Sequence, residues 1–107
     1  MDSKEFEEAV KHFTRAIRVD PKFAEAYNQR ALARYMLERY EECAEDCQKV
    51  VELMPCHFGA WAGLGHCHAH EGRLGEALKC YKTALELNPH LECLVEACDE
   101  LRKQIET

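Results

Sequence analysis

The three prolines of this 107-residue chain are Pro21, Pro55 and Pro89, each 34 residues from the next. Proline has no N–H and restricts the residue before it, so each one marks a place where a helix or strand stops. No other proline interrupts the series. A stop at a fixed interval points to one structural unit built several times over.

The residues between the stops repeat as well. Ahead of Pro89, Trp61, Leu64 and Gly65 fall at i, i+3 and i+4, which is one face of a helix. Gly65 lacks a Cβ, so a second helix can lie close against it. Ala77, Tyr81 and Ala84 give that second helix a matching face, with two small residues around one ring. Gly72-Arg73 separates the two helices, since glycine tolerates the left-handed position after a helix end. Ahead of Pro55 the same slots hold Tyr27, then Arg30-Ala31, then Cys43, Cys47 and Val50. Ahead of Pro21 stand Ala9, Phe13 and Ala16.

Trp-x2-Leu-Gly, then Ala-x3-aromatic, then Pro, at a period of 34 residues, resembles the tetratricopeptide repeat. One departure is His68, where the family usually has Tyr. The resemblance implies an all-α fold: a right-handed superhelical array, or solenoid, of antiparallel helix pairs with six helices. It divides the chain into 1–23, the second helix of a repeat whose first helix would lie before Met1; two full repeats, 24–57 and 58–91; and a capping helix, 92–107. The apolar periodicity predicts helices over 4–19, 24–37, 40–53, 58–72 and 74–87. Ser3 is the candidate N-cap of the first. After Pro89 the motif is not repeated. Leu91, Leu94, Val95, Cys98, Leu101 and Ile105 form one stripe with charges elsewhere, as a cap requires.

Composition narrows the function. A net charge of −6 with 32% charged residues argues against nucleic acid and anionic membrane as partners, which need a basic patch. No apolar run approaches the roughly 20 residues of a membrane span. The start, MDSKEFEEAV, is unlike a signal or transit peptide. Seven cysteines, an odd number set mainly within helices, read as reduced thiols of an intracellular protein. The cytoplasm is the first expectation, and an organelle stays open.

The resemblance also implies a concave groove lined by the first helices of the repeats. The residues it places there are Glu25, Asn28, Leu32, Tyr35 and Met36, then Gly59, Ala62, His66, Ala69 and His70. Cys93, Glu96 and Glu100 continue the surface onto the cap. The expected function is a non-catalytic module that binds a protein or peptide ligand, as part of a larger scaffold or adaptor. Gly59, Ala62, Gly63 and Ala69 leave room for a bulky partner residue, and Glu25, Glu96 and Glu100 favour basic or neutral ligands. Some family members clamp the acidic C-terminal tails of heat-shock chaperones with Lys, Arg and Asn. Here the Asn slot holds Gln29, and the Lys and Arg slots hold Gly59 and Gly63, so the sequence argues against that clamp.

Other chemistries are weaker. His66-Cys67-His68-Ala69-His70 looks like a metal run, but only His66 and His70 share a face. His68 is turned about 200° from His66, and two ligands fall short of a zinc site. Cys43 and Cys47, also at i, i+4, sit in packing slots where free Cys behaves as a small hydrophobe. Cys56 follows Pro55 in a loop and is the thiol most open to reaction. No phosphate loop, nucleophile elbow or metalloprotease motif points to an enzyme, and no cofactor is implied. Two alternatives stand beside the interaction module. One is self-association through Phe6, Ala9, Phe13 and Ala16, giving a homodimer. The other is metal or redox sensing by the His/Cys set.

Overall fold

A computed structural model describes residues 3–106. Six helices follow one another: α1 (Ser3–Val19), α2 (Ala24–Met36), α3 (Tyr40–Leu53), α4 (Phe58–His70), α5 (Leu74–Leu87) and α6 (Glu92–Glu106). There is no strand among the described residues. Each helix packs on the next, and α2 also touches α4 directly. The array is the expected all-α superhelix of antiparallel pairs, with α2 and α4 side by side in one layer.

The turns show why the period holds. Within a pair, the chain reverses through one residue of positive φ: Glu38 (φ 61°) after α2 and Gly72 (φ 79°) after α4. The amide of the following residue then donates back, from Arg39 to the Arg34 carbonyl and from Arg73 to that of His68, both at 2.8 Å. This turn ends α4 at His70 rather than at 72. Between pairs, an aromatic side chain reaches back six residues. The Tyr27 hydroxyl donates to the Pro21 carbonyl at 3.0 Å, and Trp61 Nε1 donates to that of Pro55 at 2.9 Å.

Two sequence expectations need correction. Ser3 already lies within α1, so it is not the residue that caps it. In α6, Leu94, Cys98 and Leu101 are buried, but Val95 is 45% and Ile105 48% exposed. Helix α5 covers a narrow stripe of α6, and these two side chains fall at its margins.

The core is built from small side chains. One cluster joins Ala31, Cys43, Cys47, Leu64, Cys67 and Cys80 across α2 to α5. A second sets Ala77, Tyr81 and Ala84 against Leu94, Cys98 and Leu101 of the cap. A third holds Tyr27, Val50, Val51 and Ala60. Trp61, only half-buried, touches all three. Gly65 is required by its neighbour, since a Cβ there would lie 2.6 Å from Tyr81 Cε1.

One part of the interior is ionic. Asp46 is buried between α2 and α3. It accepts from Arg30 Nε at 2.9 Å and Nη2 at 2.6 Å, and from Arg34 Nη1 at 2.8 Å. Arg30 Nη1 also donates to the Thr14 hydroxyl at 3.2 Å, which ties α1 to the same network. Its guanidinium sits 5.6 Å from the centroid of the Tyr27 ring. The hydrogen bond to Asp46 raises the Arg30 pKa further, against the opposing effect of burial.

Candidate functional site

A cavity of about 320 Å³ opens between α2 and α4. Asn28, Leu32 and Tyr35 line it from α2, and Gly59, Ala62, Gly63 and His66 from α4. Ala31, Cys43 and Cys47 lie behind. Its width on the α4 side follows from two missing side chains. A Cβ at Gly63 would approach Cys47 Sγ to 3.2 Å, and one at Gly59 would meet the His57 ring at the same distance. The His57 ring is occupied as the N-cap of α4, where its Nδ1 accepts from the Ala60 amide at 3.0 Å. That cap reinforces a first-turn donor that also reaches the His57 carbonyl at 3.1 Å.

Two histidines of α4, His66 and His70, are each held by a tyrosine. His66 Nδ1 pairs with the Tyr81 hydroxyl at 2.7 Å, and His70 Nε2 with the Tyr35 hydroxyl at 3.0 Å. The His70 ring stacks flat on Tyr40, with centroids 4.3 Å apart. Tyr35 stands edge-on to both Tyr40 and His70. Burial lowers the His66 pKa below the ordinary histidine value, while it pushes the Tyr81 phenol up to about 12 and also raises that of Tyr35. His66 is therefore a neutral ring at pH 7. Among the described residues no group of three or more His, Cys, Asp and Glu is arranged to hold a metal ion. The Cys47 thiol is raised above its usual range by hydrogen bonds with Cys43 and Cys67 and then by burial, so it behaves as packing rather than as a nucleophile.

Six of the sequence candidates thus surround one cavity: Asn28, Leu32, Tyr35, Gly59, Ala62 and His66. Glu25, Met36 and His70 are exposed beside it, and Ala69 packs half-buried toward the cap. The Gln29 side chain donates to Glu25 at 2.7 Å. In α1, Phe6, Ala9, Phe13 and Ala16 are each half-buried, and no residue of that helix is fully buried. Three participants were not foreseen. Tyr40 opens α3, and its only sequence signal is an aromatic directly after the turn. Cys43 and Cys47 were assigned to packing alone, yet they also form the cavity floor.

The family model described as "Tetratricopeptide repeat" matches residues 59–91 and, in a second version, 24–55. One described as "TPR repeat" matches residues 1–38. Sperm-associated antigen 1 of Mus musculus is 31% identical over 103 residues, 96% of this chain and 11% of that protein. The chain spans a quarter or less of the first curated relatives it matches. Among solved structures, the first TPR of Spaghetti (RPAP3) bound to HSP90 peptide SRMEEVD superposes with a TM-score of 0.94 at 23% identity, covering 97% of this chain and 82% of that one. The second TPR domain of human RPAP3, in complex with HSP70 peptide SGPTIEEVD, gives 0.87 at 28% identity, covering 92% and 82%. With matches along both full helix pairs and α1, and the same superhelix in the solved structures, the chain belongs to the tetratricopeptide repeat family.

Proposed function

We propose that this chain is a non-catalytic interaction module that takes an extended or helical protein segment along the face made by α2, α4 and α6. The observation that carries the reading is the open cavity between α2 and α4, flanked by apolar side chains left in water. Leu32 is 57% and Met36 54% exposed. Apolar groups beside a formed cleft are the usual mark of a binding surface. The peptide held by the 28% identical RPAP3 domain supports it further. In this reading the ligand is not an acidic tail held by a cation clamp. Gly59 and Gly63 offer no cation, and Gln29 is engaged by Glu25.

The test is a selection from a random peptide display library on the immobilised chain. Binders are then measured by fluorescence anisotropy against wild type and a Tyr35→Ala/His66→Ala variant. We expect enriched binders that lose at least tenfold in affinity, while circular dichroism stays unchanged. Absence of enrichment, or binders lost only on Lys11 or Lys82 substitution, moves recognition off this face.

A second reading is self-association through α1, favoured by its half-buried Phe6 and Phe13. Burying a large apolar side chain contributes ~1.5–3 kcal/mol, and a second copy supplies the cover. Analytical ultracentrifugation over a wide concentration range is expected to show a dimer that Phe13→Glu abolishes. Identical monomeric sedimentation of both proteins rules this reading out.

A further inference from the structure

Cys47 and Tyr81 hold the same slot in successive helix pairs, 34 residues apart, as do Ala31 and Gly65, and Leu32 and His66. Tyr81 shows what that slot accommodates. Its ring is 3% exposed, lies against the bare backbone of Gly65 and packs toward the cap. Its hydroxyl meets His66. In the preceding pair the ring is missing. Cys47 ends at its sulfur, and beyond it lies the cavity described above, walled by Asn28, Leu32, Tyr35, Gly63 and His66. The cavity thus lies just beyond the slot that holds a ring in the next pair, set outward of that ring's place by the Cβ of Ala31, which Gly65 lacks.

Charge constrains the rest of the occupant. No charged side chain lines the cavity. Glu25 is exposed one turn before Asn28 on α2. Glu96 and Glu100, also exposed, hold on α6 the slots that Ala62 and His66 hold on α4. Lys103 lies one turn further on. A segment crossing this face meets carboxylates on both sides of a neutral, apolar hole.

We propose that the cavity is a subsite for an aromatic side chain of the bound segment, whose ring lies beyond the Cys47 sulfur and outside the Ala31 Cβ, next to the place that Tyr81 takes in the following pair, and that basic residues flank this ring. The proposal rests on the reading of this face as a peptide-binding surface. It goes further by naming the ligand's anchor and charge.

The experiment uses peptides selected on the whole chain. Each is measured by anisotropy in three forms: as selected, with its aromatic residue changed to Ala, and with its basic residues changed to Glu. The protein is used as wild type, as Ala31→Gly/Cys47→Tyr, and as Asn28→Lys. The double variant builds the ring in, with the space at position 31 that Gly65 gives Tyr81. Asn28→Lys puts a cation at the rim. We expect each peptide change and each protein variant to weaken binding at least tenfold. In parallel, wild type is titrated with p-cresol, the tyrosine side chain alone, and followed by amide NMR. Saturable shifts are expected at Gly59 and Gly63, and none in the double variant. Binders without an aromatic residue, or equal binding to wild type and the double variant, overturn the proposal while leaving the peptide-binding reading intact. Comparable affinity for SGPTIEEVD overturns its charge half. If the double variant does not fold, the p-cresol titration and Asn28→Lys decide. A selection that yields nothing defeats the broader reading instead, and the p-cresol titration still reports on the cavity by itself.

Discussion

The α2–α3 and α4–α5 pairs share a backbone and differ in what holds it. Between α2 and α3 the contact is ionic: Arg30 and Arg34 converge on buried Asp46. Thirty-four residues later the same three slots hold Leu64, His68 and Cys80, of which Leu64 and Cys80 meet in an apolar cluster with no ion pair. The close approach of the helices is also solved in two ways. Gly65 admits the ring of Tyr81, whereas Ala31 faces the small Cys47. The two pairs teach that helix spacing in this array is set by the summed bulk at facing slots, not by any one residue. They also teach that a buried charge triad and an apolar contact can occupy one geometry. Their responses to mutation should therefore diverge.

The largest divergence is expected at Asp46 and Cys80. Asp46→Ala takes the shared carboxylate from two half-buried guanidinium groups, leaving Arg34 only Glu42 and Arg30 only the Thr14 hydroxyl, and should cost about 3 kcal/mol, the low end for breaking a buried ion pair. Cys80→Ala removes only a sulfur from an apolar contact, at about 1 kcal/mol. Urea denaturation of the two variants gives the comparison directly, and equal losses would erase the distinction. Next comes the helix approach. Gly65→Ala drives a Cβ into the Tyr81 ring and should destabilise by ~1–3 kcal/mol through overpacking. Ala31→Gly should cost only about 1 kcal/mol, mostly helix propensity.

Smaller again is a pH effect confined to the second pair. The folded chain lowers the His66 pKa from its ordinary 6.5, with burial as the leading cause. The unfolded chain therefore takes up that proton more readily than the folded one. The contribution of this residue is complete above pH ~6.5 and falls as the pH drops toward the depressed folded value. Leu32, in the same slot of the first pair, has nothing to titrate. His66→Leu should thus flatten the dependence of the urea midpoint between pH 7 and 5. The smallest effect has the opposite sign. Glu38 adopts a positive φ where the other pair has Gly72. Glu38→Gly should raise stability by ~0.5–1 kcal/mol by relieving a left-handed non-glycine residue. A lowered thermal midpoint would show that the Glu38 side chain contributes more than its backbone costs.

The architecture was legible because its signals are local. The prolines, the apolar period and the Gly72 turn each act within a few residues of where they stand. The ion triad was not legible, since Arg30 and Asp46 are 16 residues apart and each alone reads as a solvated charge. At the site, the types and faces of Asn28, Leu32, Tyr35, Gly59, Ala62 and His66 could be read from the sequence. The cavity itself could not, because it depends on what Cys47 fails to fill. Val95 and Ile105 were misjudged for a related reason: an apolar stripe states what a helix offers, while the neighbouring helix decides how much of it is covered.

The bonds from Tyr27 to Pro21 and from Trp61 to Pro55 have no counterpart after the third proline, where the matching side chain is Val95. Two junctions are latched and the third is not. Helix α6 therefore lacks the stitch that fixes α2 and α4 to the chain before them, and should part from the array more readily than α4. In native-state hydrogen exchange, the amides of α6 open at a lower free energy than those of α4, and a polar donor restored by Val95→Trp slows them.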